Sequence, residues 1–433
     1  MVNSATTRFL ESQGKTVLVL YASTLSFATY FCMYAFRKPF AAGTFEDPDF
    51  VEAAGFEFKT ALVISQIVGY ALSKYAGIKL CSETTRARRA VALITCIGLA
   101  ELALLLFAIL PGPWKILAIF LNGLPLGIVW GLVVSYLEGR RTSELLLAAL
   151  SCSFIVSSGV VKDVGRHLLT SHEVSEAFMP ALTGLLFIVP FVVCVWFLDQ
   201  LPDPDKDDIE ARVERQPMNA VERVQFVRKF LPGLVFLLSA YFILTAYRDF
   251  RDNYGVEVFA VLGYGETPGI FSLSEGLVAV GVLVSLGLLF LIRDNRLGLL
   301  AAYALMIGGL ALLGVGTLLL DAGYIDGLTW MICTGLGSYL AYVPYGSLFF
   351  DRLLASTRTQ GTAVFAIYVA DAIGYTGSVG VQLYKDFAHS DVSRFGFLRD
   401  FTYVMSVMGV VLLVASAIYF LRQTPRSGDS TRR

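Results

Sequence analysis

The stretch Tyr30-Phe-Cys-Met-Tyr34-Ala-Phe-Arg37-Lys38 lies within the first long apolar segment of the chain. Tyr30, Tyr34 and Arg37 are spaced i, i+4 and i+7, so on a helix they line one face. Two adjacent cations at the end of that face are costly in lipid, by roughly 2.5–3.5 kcal/mol each at mid-bilayer. Two interpretations stay open: Arg37 and Lys38 face a water-filled cavity or a binding partner, or they end the helix and extend to the lipid headgroups.

The composition is that of a membrane protein. Of 433 residues, 56% are hydrophobic and only 16% are charged, whereas a soluble domain carries about 25% charged residues. Apolar runs of about 20 residues, long enough to span a bilayer, recur from end to end. We therefore predict a polytopic protein whose surroundings are the lipid bilayer. The net charge of −1 gives no indication of a nucleic-acid partner.

Motifs of enzymes and metal sites are missing from the sequence. No segment matches the phosphate loop Gly-x-x-x-x-Gly-Lys-Ser/Thr or the nucleophile elbow Gly-x-Ser-x-Gly. The cysteines show no Cys-x-x-Cys spacing, and the histidines lie near predicted helix ends or loops. We expect no enzyme activity, no metal and no cofactor. The residues concerned are Cys32, Cys81, Cys96, Cys152, Cys194, Cys333, His167, His172 and His389.

The hydropathy pattern predicts about twelve transmembrane helices, six on each side of a charged segment. The predicted spans are 15–40, 60–80, 87–110, 114–138, 145–170, 177–198, 230–251, 268–292, 297–320, 327–350, 362–385 and 397–422. They divide the chain into an N-terminal six-helix bundle (1–200), a charged linker (201–229) with helix in its second part, a C-terminal six-helix bundle (230–422) and a basic tail (423–433). The first apolar run has no small-residue cleavage site, so we expect a span and not a removable signal peptide.

Charge in the loops predicts the orientation, because cytoplasmic loops carry an excess of Lys and Arg. Basic residues gather in one set of loops, together with the central linker and the tail, and acidic residues gather in the other set. We expect both termini and the linker to be cytoplasmic, in a bacterial inner membrane. The basic set is Lys79, Arg86, Arg88, Arg89, Arg140, Arg141, Arg293, Arg296, Arg352 and Arg358; the acidic set is Glu46, Asp47, Asp49, Glu52, Glu57, Glu173, Glu176, Glu257, Glu266, Asp321, Asp326, Asp386 and Asp391.

The six-plus-six plan predicts two structural repeats. In the seventh span, Tyr241, Thr245 and Arg248 repeat the spacing of the tyrosines and Arg37 in the first span, and Asp252 continues that face. Spans one and seven hold equivalent positions in the two halves. The match therefore supports an internal repeat.

The sequence resembles the major facilitator superfamily and, within it, the organophosphate:phosphate antiporters typified by the glycerol-3-phosphate transporter. That branch has two tyrosines followed by Arg-Lys and an aromatic residue in helix 1, which here are Tyr30, Tyr34, Arg37, Lys38 and Phe40. It also has a Ser-Lys-aromatic element in helix 2, which here is 73–75. The resemblance implies two pseudo-symmetric six-helix bundles and a monomer. These specific motifs lie only in the first two spans.

The resemblance also implies which residues bind substrate. In the family, the helix-1 arginine and the helix-2 lysine lie at a central cavity with an arginine of helix 7. Here these are Arg37 and Lys74, with Arg248 as the third cation or Arg251 in the other register. The sequence departs from the family at the helix-5 histidine, near whose place Phe154 falls. It departs again after helix 2, where Cys81 replaces the aspartate of the superfamily signature.

The spacing around Lys74 favours a cavity-facing side chain. Gln66 and Tyr70 precede it at i−8 and i−4, which makes a polar stripe along one helix face. Together, Arg37, Lys74 and Arg248 would form a positive centre for a doubly charged anion. Arginine suits phosphate because its planar fork donates two parallel hydrogen bonds.

Acidic residues in the spans offer alternatives to anion binding. Lys162 and Asp163 pair with each other or across the halves, as a structural pair or as a gate. Glu275 and Asp371 are candidates for a coupling proton, because a carboxyl group in a low-dielectric site tends to stay protonated. The alternative for each is a helix–helix hydrogen bond. Glu101 is expected to face a neighbouring helix.

We expect a secondary transporter that works by alternating access and exchanges or imports a small organic anion, such as a phosphorylated metabolite. Arg37, Lys74 and Arg248 would bind it, with Tyr30, Tyr34 and Lys38 shaping the site. The first alternative is proton-coupled transport of a neutral or zwitterionic solute through Asp371 or Glu275. A second alternative is a membrane sensor that transports nothing. The small-molecule substrate is the expected partner in each transport model.

Overall fold

The computed structural model describes residues 4–140, 142–204, 208, 220–357, 363–389 and 391–423. All regular secondary structure in these ranges is helical. The sixteen α-helices are α1 Ala5–Ser12, α2 Lys15–Tyr34, α3 Pro48–Ala54, α4 Phe58–Glu83, α5 Arg86–Ile109, α6 Trp114–Leu137, α7 Ser143–Ser171, α8 Met179–Leu198, α9 Ala220–Asn253, α10 Gly255–Val261, α11 Ile270–Phe290, α12 Asn295–Asp321, α13 Gly327–Pro344, α14 Phe350–Thr357, α15 Ala363–Ala388 and α16 Arg394–Gln423.

Twelve of these helices coincide with the predicted spans, so the predicted fold class is confirmed. Within the described ranges, nine helices are long and apolar enough to cross a membrane. The other three, α4, α13 and α15, also lie on predicted spans. Helix α9 begins inside the predicted linker, and the short helices α1, α3, α10 and α14 were not predicted. The basic tail from 424 onwards lies outside the described residues.

The first span is shorter than predicted. Helix α2 ends at Tyr34, a turn follows, and a 3₁₀ helix covers Pro39–Ala42. A proline has no N–H to donate to the carbonyl four residues before it, so a regular α-helix does not continue unbroken through Pro39. Pro39 therefore converts the end of the predicted helix into a turn. Arg37 and Lys38 lie on that turn and not on the regular helix.

The chain forms two compact units that interleave along the sequence. The first unit contains Met1–Ala211, Asp252–Ala279 and Val381–Phe395, and the second contains Arg212–Arg251, Val280–Gly380 and Gly396–Arg433. The first unit thus combines α1–α8 with two further segments: one runs from the end of α9 through α10 into the first half of α11, and the other runs from the end of α15 into the start of α16. The division into halves at residues 201–229 stays a prediction.

Glycines bring α4 and α6 into close contact in the first unit. A Cβ added to Gly123 would lie 2.5 Å from the carbonyl oxygen of Gln66, and one added to Gly127 would lie 2.5 Å from that of Tyr70. Gly69 approaches the backbone of α6 in the same way. The four-residue repeat of glycines in the fourth span predicts a close-packing face, and the contacts of Gly123 and Gly127 confirm it.

We expect Gly123→Ala to lower the thermal stability of the purified protein in detergent. The added Cβ would force the two helices apart, and overpacking of this kind costs roughly 1–3 kcal/mol. Gly98→Ala in α5 is the matched control, because nothing lies within 4 Å of a Cβ added there. The control variant should unfold at the wild-type temperature or slightly above it. Equal destabilisation by both variants would contradict the close-contact interpretation.

Candidate functional site

The turn after α2 is held by two amide side chains from neighbouring helices. Asn122 Nδ2 of α6 donates to the carbonyl oxygen of Phe36 at 3.0 Å, and Gln66 Nε2 of α4 donates to that of Arg37 at 2.9 Å. Gln66 also donates to Asn122 Oδ1 at 2.9 Å. Both amides are almost fully buried. We call Gln66 and Asn122 the amide clamp; it places the backbone of Arg37.

The Arg37 side chain lies against aromatic rings and is itself buried. Its guanidinium carbon is 4.0 Å from the centre of the Tyr70 ring, and Nη1 lies 3.5 Å from the Tyr34 hydroxyl. Lys74 Nζ is 5.4 Å from the centre of the same Tyr70 ring. A cation near an aromatic face is attracted by the ring quadrupole, by about 2 kcal/mol or more when both are desolvated. Tyr70 therefore brings two predicted cations together.

The predicted tyrosines complete this cluster. Tyr30 packs edge-on against Tyr34, with ring centres 5.7 Å apart, and against Trp130 of α6, at 4.9 Å. The structure thus places Tyr30, Tyr34, Arg37 and Lys74 together around Tyr70. We call these five residues the Arg37 cluster.

Lys38 contacts a different group of residues. Its Nζ lies 2.5 Å from Asp252 Oδ2 and 2.8 Å from Asn253 Oδ1 at the end of α9. Lys162 of α7 approaches the other oxygen of the same carboxylate at 2.6 Å, and Ser158 donates to it at 2.5 Å. These side chains come from three elements far apart in sequence, namely the turn after α2, α7 and the end of α9, and each is buried. A buried charge is stable only with partners, and Asp252 has two.

Further ion pairs extend this polar region. Lys59 of α4 pairs with Glu257 at 2.5 Å, and Arg394 of α16 pairs with Glu57 at 2.5 Å and with Asp386 at 2.9 Å. They join the first six spans to the short segments that complete the first unit. We call the set the ion-pair belt. Its members are Lys38, Glu57, Lys59, Lys162, Asp252, Glu257, Asp386 and Arg394.

Tyr254 lies within the belt, in the link between α9 and α10. Its hydroxyl is 2.9 Å from Thr60 Oγ1 and donates to Gln382 at 3.2 Å, while the Arg394 guanidinium lies 4.0 Å from the ring centre. Burial raises the pKa of the Tyr254 hydroxyl well above its ordinary value. The tyrosine is therefore neutral at physiological pH and binds its neighbours as a hydrogen-bonding group.

Asp163 and Glu275, the two acidic candidates for gating or coupling in the first unit, each contact a neighbouring helix. Asp163 accepts a hydrogen bond from the Ser272 backbone N–H at 2.6 Å and so occupies the N-terminal end of α11, where unpaired N–H groups favour an anion. It does not pair with Lys162, which binds Asp252. Glu275 is buried in α11 beside Gly159 of α7, whose added Cβ would lie 3.1 Å from the Glu275 Cβ.

The second unit repeats the arginine-on-tyrosine arrangement. The Arg248 guanidinium carbon is 4.3 Å from the centre of the Tyr342 ring, as Arg37 is close to Tyr70. Here the arginine also pairs with the adjacent Asp249 at 2.6 Å, and Ser378 donates to that carboxylate at 2.7 Å. Arg251 instead donates to the carbonyl oxygen of Met331 in α13 at 2.7 Å.

An aromatic group surrounds the second predicted proton carrier. Tyr241 donates to Asp371 at 2.7 Å, and its ring stacks on Tyr342 at 5.4 Å and packs against Tyr345 at 4.6 Å. Asp371 is thus part of a buried hydrogen bond between α9 and α15.

Some contacts in these sites could have been inferred from single residues and others could not. Asn122 is a buried amide in an otherwise apolar helix, which is itself a signal of a specific hydrogen bond. The pairing of Lys38 and Lys162 with Asp252 left no local signal. Among the described residues, no group of three or more His, Cys, Asp or Glu side chains is placed to bind a metal.

Comparison with known proteins gives a family and a fold. The model of a family of unknown function, DUF5690, matches residues 39–423. No curated protein matches the chain in sequence. The crystal structure of a mutant of the nucleoside transporter NupG superimposes with a TM-score of 0.57 at 13% identity, over 93% of this chain and 100% of that one. The chain therefore has the fold of that transporter, in agreement with the predicted fold class; the similarity to the organophosphate:phosphate antiporters stays a prediction.

We expect Asn122→Leu to destabilise the protein by roughly 1–3 kcal/mol. The substitution keeps side-chain volume but leaves the buried carbonyls of Phe36 and Ala100 without the Asn122 donor, and an unsatisfied buried acceptor carries that cost. Thermal unfolding in detergent is the measurement. Thr170→Val is the control, because that exposed hydroxyl bonds only its own helix. Wild-type stability of the Asn122 variant would show that the clamp is not needed.

Proposed function

The chain belongs to the family of unknown function DUF5690, and from this premise we propose that it is a secondary transporter that works by alternating access. We propose that it exchanges or imports a small organic anion, such as a phosphorylated metabolite. The observation that carries the proposal is the Arg37 cluster. Two cations and a tyrosine hydroxyl gather around Tyr70: Arg37 is buried on the turn after α2, and Lys74 is half-buried in α4. Charged residues at such depth are retained for function in most membrane proteins.

The chemistry of the cluster suits a phosphate or carboxylate group. Arg37 can donate two parallel hydrogen bonds to neighbouring oxygens of an anion. Lys74 adds a point charge, and the tyrosine hydroxyls add donors without further charge. The rings of Tyr70 and Tyr34 already hold the guanidinium in position, so little side-chain freedom is lost when an anion binds.

Arg248 is the residue that we propose the second six-span half contributes to anion binding. Its place on Tyr342 parallels that of Arg37 on Tyr70. Asp249 pairs with Arg248, and an entering anion would replace that carboxylate as its partner. Binding energy would then be used to rearrange the site, which favours exchange of one anion for another over movement of the empty carrier.

Proton-coupled transport of a neutral or zwitterionic solute is the second candidate. The burial of Asp371, which accepts a hydrogen bond from Tyr241, favours it, because an ionisable residue inside a membrane span characteristically marks an ion or proton pathway. Dependence of transport on a pH gradient, without any effect of phosphate, would distinguish this mechanism from anion exchange. For either mechanism we propose an inner-membrane monomer with both termini in the cytoplasm.

The ion-pair belt is the proposed gate. It joins the turn after α2, α4 and α7 to residues in the predicted loops that follow the seventh and eleventh spans. Asp252 is central, since it pairs with a lysine from each of two helices. Opening of this region would require these pairs to separate, and each would regain water in exchange.

We expect phosphorylated anions to raise the unfolding temperature of the wild-type protein in detergent. A ligand at about 100 times its dissociation constant stabilises the folded state by roughly 2.7 kcal/mol. The panel is inorganic phosphate, glycerol phosphate, sugar phosphates, dicarboxylates and neutral sugars. Arg37→Gln should abolish the shift, and Arg37→Lys should reduce it strongly, because lysine lacks the two-donor geometry.

Arg88→Gln is the matched control, since Arg88 is exposed in the first turn of α5. It should keep the full anion-induced shift. Stabilisation by neutral solutes alone, with a folded Arg37→Gln variant that behaves as wild type, would contradict anion binding at this cluster.

We expect Asp252→Asn to open the belt. Both lysines would lose their counter-charge, and breaking a buried pair by removing one partner costs roughly 3–5 kcal/mol. Amide hydrogen exchange in α10, which follows Asp252 directly, should become faster, as measured by mass spectrometry. The control is Asp321→Asn, which breaks the partly exposed pair with Arg399 in the second unit. Unchanged exchange in α10 would show that these pairs are not what closes this region.

A further inference from the structure

Glu101 is a buried acid inside a membrane-spanning helix, and the proposed anion site does not use it. It is the sixteenth residue of α5 and is only 4% exposed. Both of its carboxyl oxygens are buried without a hydrogen-bond partner. Asn122 of the amide clamp lies nearby, because it donates to the carbonyl oxygen of Ala100. It does not donate to the Glu101 side chain.

The carboxyl group occupies a space that a glycine provides. Gly184 of α8 faces it, and a Cβ added at Gly184 would collide with Glu101 Oε2 and would lie 3.1 Å from Glu101 Cδ. The same Cβ would lie 3.1 Å from the Phe36 ring, so the carboxyl group and Phe36 border one glycine. Any larger residue at position 184 would fill this space.

The charged groups on the helices around Glu101 either lie far from its carboxyl group or bind other partners. In α5 the arginines lie in the first turn, at least twelve residues and so about 18 Å along the helix from Glu101. In α6 the charged residue is Lys115, whose Nζ donates to the carbonyl oxygen of Phe107. Helix α8 carries no Asp, Glu, Lys, Arg or His, and its titratable group is Cys194. On the turn after α2, Arg37 lies on Tyr70 and Lys38 binds Asp252.

An ionised carboxylate in this place would be far less stable than a neutral one. Transfer of an unpaired charge from water into an apolar interior is so costly that the group neutralises instead. A permanently neutral polar group could be supplied by glutamine, whereas ionisable residues inside membrane spans characteristically mark proton pathways.

We propose that Glu101 is a proton-binding site: its carboxylate takes up one proton from water to form a neutral acid in its buried place between α5 and α8, and it releases that proton again when this place opens to water. The proton is thereby a coupling ion for transport. The link to the anion site is structural. Phe36 borders the acid, and it directly precedes Arg37 on the turn that the amide clamp holds. The inference goes beyond the proposed anion transport and does not depend on which solute is carried.

Infrared spectroscopy of the full-length protein in lipid tests the site without any substrate. A protonated carboxylic acid has a C=O stretching band that a carboxylate lacks. We expect such a band at neutral pH in the wild type and its loss in Glu101→Gln. We also expect the band to disappear reversibly as the pH is raised while the protein stays folded.

Three variants make the result interpretable. Glu176→Gln is the control, since that carboxylate is bound by backbone N–H groups of Thr44 and Phe45 and should contribute no protonated band. Glu101→Asp retains an acid and should keep a protonated-acid band at a shifted position. This variant tests the site even if Glu101→Gln fails to fold. Gly184→Ala fills the space of the carboxyl group and should shift the pH at which the band is lost.

Two outcomes would overturn the proposal. Identical spectra of wild type and folded Glu101→Gln at every pH would mean that Glu101 is not protonated. A band that persists until the protein unfolds at high pH would mean that the acid is a permanently neutral structural group. Neither outcome affects anion binding at Arg37, which the stabilisation panel measures separately.

Discussion

The pair of amide hydrogen bonds to the turn after α2 supports the whole candidate site. Where a helix stops, its last carbonyls lose the N–H groups that would have followed, and buried carbonyls then need other donors. Pro39 causes the stop, and Gln66 and Asn122 donate to the buried carbonyl oxygens of Phe36 and Arg37. Without these donors, each orphaned carbonyl would cost roughly 1–3 kcal/mol. The irregular backbone that orients Arg37 is therefore possible because two other helices complete its hydrogen bonding.

The same donors can reach the turn only because α4 and α6 lie unusually close together. Gly69 and Gly123 remove the side chains that would hold these helices apart. Tyr70 follows Gly69 in α4. The Arg37 guanidinium lies over the Tyr70 ring, and the Lys74 ammonium lies near the same ring. The glycine contact, the amide clamp and the cation site are consequently one structure. A change in helix packing here changes the position of the arginine.

The sequence predicted the class of fold and the main residues of the Arg37 cluster because both leave local signals. Runs of apolar residues mark spans, and the i, i+4, i+7 spacing of Tyr30, Tyr34 and Arg37 places three side chains together even though the helix ends before the third. The partner of Lys162 was beyond local reasoning. Its neighbour Asp163 was the obvious candidate by proximity, but adjacent helical residues point in different directions, and Asp252 lies 90 residues away. The partner of Lys38 was equally beyond local reasoning. The sequence predicts that Lys38 shapes the anion site, whereas in the structure it binds Asp252. Long-range pairing is set by helix packing, which one sequence does not contain.

Three consecutive side chains on the turn reach the three polar features of the first unit. Phe36 lies beside the Glu101 carboxyl group at Gly184, Arg37 lies on Tyr70, and Lys38 binds Asp252. On the proposed function, a shift of this turn on anion binding would also move the lysine of the ion-pair belt and the aromatic ring beside the acid. Coupling between sites requires an element whose arrangement both sites bias. On the proposed function, this turn is that element, because the anion, the proton and the gate each act on one of its residues.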